Sequence, residues 1–157
     1  MKTIGPIIGG LIVVALLVYS AIRSQRVLVN GLPPRIEHAT QAEALAACAG
    51  TTFSAILGTG SMAPFIPAAP AGADPLATTV AYAIERPGAT FADITPGVLV
   101  VYRPKWNKHG RTAHNAALLT ASGWVMSGLH NARSESWEPI TAAEFVGIIE
   151  AVHVWKQ

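Results

Sequence analysis

The chain has 157 residues, room for one modest domain and not two. Its composition, 51% hydrophobic and 13% charged, is apolar for a soluble domain, and a net charge of +2 is too small to imply a nucleic-acid partner. The single cysteine, Cys48, excludes an intrachain disulfide, and the five scattered histidines lack metal-ligand spacing, so no structural zinc is expected; the serine chemistry read below requires no metal or organic cofactor.

Part of the apolar excess lies at the N-terminus. Ile4 to Ile22 is an uncharged run of 19 residues, the length that spans a bilayer as a helix, with Lys2 before it and Arg23 and Arg26 after it. A cleaved secretory signal is the rival reading. Such a signal wants small residues at its last and third-last positions. Cleavage after Ala21 puts Tyr19 at the third-last position, and cleavage after Ser24 puts Ile22 there. The expectation is therefore a retained single-pass anchor over 1–26. Counting Arg23 and Arg26 alone puts the main domain on the cytoplasmic side.

Residues 27–50 are expected to form a linker and a short helix. Asn30-Gly31 and Pro33-Pro34 carry turn character, and the Ala-rich stretch Ile36 to Ala49 reads as a helix ending at Gly50. Cys48 reads as a small buried residue.

From residue 51 to 157 the pattern changes to short strands. Thr51–Leu57, Ala77–Ile84, Val98–Tyr102, Trp124–Met126 and Phe145–Trp155 are rich in β-branched and aromatic residues, and Thr112–Thr120 reads as a strand returning from the loop before it. Turn signals at Pro87-Gly88, Pro96-Gly97 and Ala121-Ser122-Gly123 separate them, and Thr141–Glu144 reads as a helical turn. Many short strands joined by turns predict a mostly β, antiparallel domain.

The stretch with chemical content is Gly58-Thr59-Gly60-Ser61-Met62-Ala63-Pro64. Two glycines permit backbone angles that other residues resist, so the turn can present the Ser61 hydroxyl at a fixed angle. A serine hydroxyl is a weak nucleophile until a base takes its proton. His114, one loop beyond the Val98–Tyr102 strand, is the candidate base, with Lys105, Lys108 and His130 as rivals. A neutral imidazole serves as a base near neutral pH, whereas a lysine first needs its pKa lowered by several units. The loop Arg103 to Arg111 gathers four of the 11 Lys/Arg residues around Trp106. It reads either as a polar hairpin tip or as a contact for anionic lipid headgroups.

On these residues the chain resembles the type I signal peptidases, membrane-anchored serine endopeptidases that remove signal peptides from exported proteins. Ser61-Met62-Ala63-Pro64 is similar to the family's Ser-Met-x-Pro box. Gly97-Val98-Leu99-Val100-Val101-Tyr102 is similar to its Gly-Asp-hydrophobic strand, with Val98 in place of the acid. Thr112-Ala113-His114-Asn115 resembles the histidine-base box of the archaeal and endoplasmic-reticulum type, with Asn115 where a basic residue is usual. Ser127-Gly128-Leu129-His130-Asn131 resembles the box ending in Gly-Asp-Asn, with Leu129 replacing the aspartate. Ser134-Glu135 and Phe145-Val146-Gly147-Ile148 stand where the family has a serine with an acid and a closing Ile-Gly segment.

The resemblance implies a β domain of signal-peptidase type on the extracytoplasmic side, opposite to the charge count. It implies Ser61 as nucleophile, His114 as general base and Thr59 as second oxyanion donor beside the Ser61 N–H. Ser134 and Glu135 would support the base, and Met62, Pro64 and Phe65 would contact substrate. The implied partners are preprotein signal peptides and the lipid bilayer. Two other readings stay open: a catalytically inactive, peptide-binding relative, and a peptidase that cleaves itself or one regulatory partner.

Overall fold

The computed structural model describes residues 30–105, 110–130 and 139–157. The expected anchor over Ile4–Ile22, the rival base Lys108, Trp106, and the pair Ser134 and Glu135 lie outside the described residues. Among the described residues no helix is long and apolar enough to cross a membrane.

Among the described residues the domain is mostly β: a curled, half-barrel sheet, antiparallel but for one pair, with a short α-helix packed on it. Its strands are β1 (Arg35–His38), β2 (Phe53–Leu57), β3 (Thr79–Glu85), β4 (Leu99–Tyr102), β5 (Thr112–Thr120), β6 (Gly123–Ser127) and β7 (Phe145–Trp155). The helix α1 spans Gln41–Ala47. Along the sheet the order is β2-β3-β7-β4-β5-β6, and β1 joins β7 in parallel.

The closing strand holds the sheet together. β7 pairs with β4 through its first half (Val100↔Ile148, Val101↔Gly147) and with β3 through its second (Ala83↔Val152, Ala81↔Val154). A register shift in each pairing lets one 11-residue strand serve both halves of the curl. Its faces are covered on both sides. Val152 and Val154 join a core with Val80, Ala81, Ala83, Leu99, Val101, Met62 and Ile66, while Trp155 packs with Tyr82, Ile84, Ala44 and Cys48 beneath α1. A second core, around Val100, Tyr102, Ala116, Trp124 and Met126, fills the other end. Burial on both faces explains why Leu99-Val100-Val101-Tyr102 carries no polar alternation.

One expectation needs correction. The stretch Ile36–Ala49 is not a continuous helix: Ile36–His38 belongs to β1, and α1 begins only after Thr40. Thr40 has extended backbone angles and its Oγ1 accepts from the Glu43 N–H at 3.2 Å, while Glu43 Oε2 accepts from the Ala39 N–H at 3.0 Å. Those bonds fix the helix start. The residues before it gain more by pairing with β7 (Ile36↔His153, His38↔Trp155) than a lone helical turn would give them. The helical turn expected at Thr141–Glu144 is a single turn closed by Glu144 N–H to the Thr141 carbonyl at 3.2 Å.

Candidate functional site

β2 runs straight into the serine turn. Of its glycines, Gly60 takes the left-handed φ of +79° that the turn demands, and Gly58 keeps the chain clear of Ala69. The turn closes with Ala63 N–H on the Gly60 carbonyl (3.0 Å) and Ile66 N–H on the Met62 carbonyl (3.1 Å). Met62 and Ile66, 3% and 2% exposed, sink into the first core and fix the turn to the sheet. Ser61, between them and the surface, stays partly exposed.

The segment after β6 braces the turn from behind. The His130 N–H donates to the Ser61 carbonyl at 3.0 Å. A methyl group on Gly128 would lie 2.4 Å from that same carbonyl oxygen, so only glycine lets the two backbones approach this closely. Leu129, between them, packs half-buried against the first core.

β5 brings the base. His114 lies opposite Val100 in the β4–β5 ladder and is 1% exposed. Its Nε2 is 3.0 Å from Ser61 Oγ, across 53 residues of sequence. Its Nδ1 is 3.0 Å from the Tyr102 hydroxyl. In the tautomer that leaves Nε2 free to accept the serine proton, Nδ1–H donates to the phenol oxygen. Tyr102 faces Thr112, two positions along, so it and His114 are diagonal neighbours on one face of the ladder. Asn115, next in β5, points away and donates from Nδ2 to the Gly97 carbonyl at 2.6 Å, tying β5 to the turn before β4.

Thr59 Oγ1 lies 3.4 Å from Ser61 Oγ, on the solvent side of the turn. The described structure thus gathers Ser61, His114 and Thr59 of the expected residues, and adds Tyr102, which sequence reasoning missed. Its only signal was a tyrosine ending the strand before the base. Of the expected substrate contacts, Met62 lines a groove of about 440 Å³ beside Ser61. Pro64 is exposed and Phe65 packs partly buried against the first core; neither lines that groove. The rival base Lys105 lies in a separate depression with Glu144. Burial pushes the Glu144 carboxyl up, but hydrogen bonds from Thr141 together with the Lys105 charge hold it below its ordinary value.

The groove runs between β2 (Ala55–Leu57) and the start of β5 (Thr112, Ala113). β2 ends the sheet path, with β3 as its strand partner, so its outer edge borders the groove. Chemically, an exposed hydroxyl joined to a buried imidazole beside an open groove suits attack on a carbonyl carbon. Among the described residues no group of three or more His, Cys, Asp or Glu side chains could hold a metal ion. Comparisons of the chain with protein-family models, with curated proteins and with solved structures find no match.

Proposed function

We propose that this chain is a membrane-anchored serine endopeptidase of signal-peptidase type that removes signal peptides from exported preproteins with a Ser61/His114 dyad. The observation that carries the reading is the 3.0 Å contact between Ser61 Oγ and His114 Nε2, made by residues that the motif resemblance had paired in advance. The Ser61 hydroxyl attacks the scissile carbonyl as His114 takes its proton. The protonated imidazole then hands that proton to the leaving amine, and the acyl-enzyme forms. Neutral again, His114 activates the water that hydrolyses the ester. The Ser61 N–H and the Thr59 hydroxyl stabilise the oxyanion; loss of one such donor typically costs about 100-fold or more in rate.

The substrate is the extended segment that follows a signal peptide's hydrophobic stretch. It lies along the β2 edge by main-chain hydrogen bonds, with shallow apolar contacts selecting small side chains. The 1–26 segment is the anchor, and the catalytic domain faces the extracytoplasmic side, where such substrates emerge. Protease added to intact cells digests a domain on that side and spares one in the cytoplasm.

A second reading is favoured by two contacts. Leu129, where the resembled family has an aspartate, packs half-buried against the first core, and His114 Nδ1 is met by a phenol. Both fit a relative that binds peptides without turning them over. The deciding experiment is preprotein cleavage by the full chain in detergent. Wild type releases the signal peptide, and Ser61→Ala and His114→Ala each lose about 1000-fold or more. No turnover by wild type leaves the peptide-binding reading. A dead Ser61→Ala beside a near-normal His114→Ala moves the base to a rival.

A further inference from the structure

Among the described residues lining the groove beside Ser61, Arg111 carries the one charged side chain. It also lines a neighbouring depression of about 270 Å³ that shares Ala55, Ile56, Thr112 and Ala113 with the groove, and among the described residues it is the one charged side chain there too. The two hollows meet at this guanidinium.

Its setting is asymmetric. Arg111 Nη1 lies 3.4 Å from Glu85 Oε1 and 3.3 Å from Ser54 Oγ, and the Ser54 hydroxyl donates to the same Glu85 oxygen at 2.7 Å. The Arg111 side chain is 50% exposed and that of Glu85 only 12%. The carboxylate is therefore turned inward; its Oε2 lies 3.2 Å from where a methyl on Gly147 would sit. What the groove presents to a ligand is the cation. An arginine has five N–H donors in a planar fork and keeps its charge, and these contacts run through one nitrogen at long range. Glu85 and Ser54 orient the guanidinium without using it up.

Arg111 precedes His114 by three residues on one extended segment, roughly 10 Å at the rise of a strand. We infer that Arg111 is a selectivity residue that takes an Asp or Glu side chain of an extended peptide, about three residues from the peptide unit lying at Ser61. This rests on the reading of the groove as a peptide site, and needs no turnover. Desolvation by the apolar walls strengthens the contact, while the nearby Glu85 limits it to about fivefold in affinity.

The test is fluorescence anisotropy of short labelled peptides, N-acetylated and C-terminally amidated, built on an Ala/Val background with one Asp moved through each position. The protein is the full chain in neutral detergent carrying Ser61→Ala, so that ligands stay intact. Expected is one position at which Asp binds about fivefold tighter than Ala, a preference lost in Arg111→Gln and reversed, with Asp binding more weakly than Ala, in Arg111→Glu. If Arg111→Glu does not fold against Glu85, the Arg111→Gln comparison decides alone. The inference is overturned by position profiles that do not change between Arg111 and Arg111→Gln, or by the absence of peptide binding. Turnover of the same peptides by wild type reports separately. Arg111-dependent binding without turnover removes the peptidase reading and keeps this one; turnover with no Arg111 dependence does the reverse.

Discussion

The Tyr102 hydroxyl meets His114 Nδ1 at 3.0 Å inside the sheet, while the opposite edge of the imidazole meets Ser61 Oγ at the same distance. A phenol therefore occupies the position where serine hydrolases commonly have a carboxylate. A neutral phenol can orient the ring and accept from Nδ1–H, but it offers an imidazolium less electrostatic support than an anion does.

Removing that hydroxyl tests its role. Tyr102→Phe keeps the ring that packs with Val100 and Met126 and deletes the buried hydroxyl that meets His114 Nδ1. We expect kcat on a cleavable preprotein to fall about five- to tenfold with KM little changed, since one such bond is worth about 1 kcal/mol. The remaining activity should still decline on the acid side, where a protonated imidazole cannot take the serine proton. An unchanged kcat would leave Tyr102 as packing alone.

Gly128→Ala should cripple the site although residue 128 bears no chemistry. Its added methyl falls 2.4 Å from the Ser61 carbonyl oxygen, so one of the two backbones must move. Displacing a nucleophile by about 1 Å costs about 100-fold in rate, and overpacking typically costs about 1–3 kcal/mol. Turnover measured beside a thermal melt separates the two effects: activity should fall far more than the folded fraction at the assay temperature.

Acid should loosen the β1–β7 pairing. His38 Nε2 and His153 Nδ1 lie 2.8 Å apart, and burial, with the neighbouring His38, holds the His153 pKa below its ordinary value. The unfolded chain then takes up this proton at a higher pH than the folded chain does, so protonation favours unfolding. The contribution is complete above the unfolded value of about 6.5 and is lost as pH falls through the lower folded one. Melting temperature measured from about pH 8 to about pH 5 should drop, and His153→Gln should flatten part of that drop. A wild-type curve no steeper than that of the variant contradicts the assignment.

Cys48 should behave as a core residue. It is fully buried at the C-terminal end of α1, and burial raises its thiol pKa, which lowers the thiolate fraction. A thiol reagent should label it at the rate of global unfolding, with denaturant bringing immediate reaction. Rapid labelling of the native protein would mean that α1 opens locally.

Thr59→Val removes a hydroxyl from an exposed turn position at almost no cost in volume. If Thr59 donates to the oxyanion, kcat should fall about 100-fold while peptide binding to the Ser61→Ala background stays the same. Equal losses in both measurements would make Thr59 a groove residue instead.

The sequence by itself determined what depends on a few neighbouring residues. Phe145–Trp155 is a strand at the bounds its β-branched and aromatic content implied, and Thr112–Thr120 at the bounds set by the turn formers on either side of it, because both signals act within a few residues. The serine turn was equally local: Gly60 supplies its positive φ, and apolar Met62 and Ile66 supply its anchors. The start of α1 was also written in the chain, as Thr40 with Glu43 three residues later, although the Ala-rich composition drew the helix too early.

Tertiary structure decided everything that needs register. Residue types alone do not set the register of β4 on β5, so nothing in the chain said that Tyr102 would face Thr112 and so stand diagonal to His114. The parallel pairing of β1 could not be read either, since its four residues become a strand only because β7 offers them an edge. The same holds for the inward turn of Glu85 beside an outward Arg111, and for the approach of Gly128 to Ser61. Each is a contact between segments far apart in sequence, and its geometry follows from how the whole sheet curls rather than from the residues that make it.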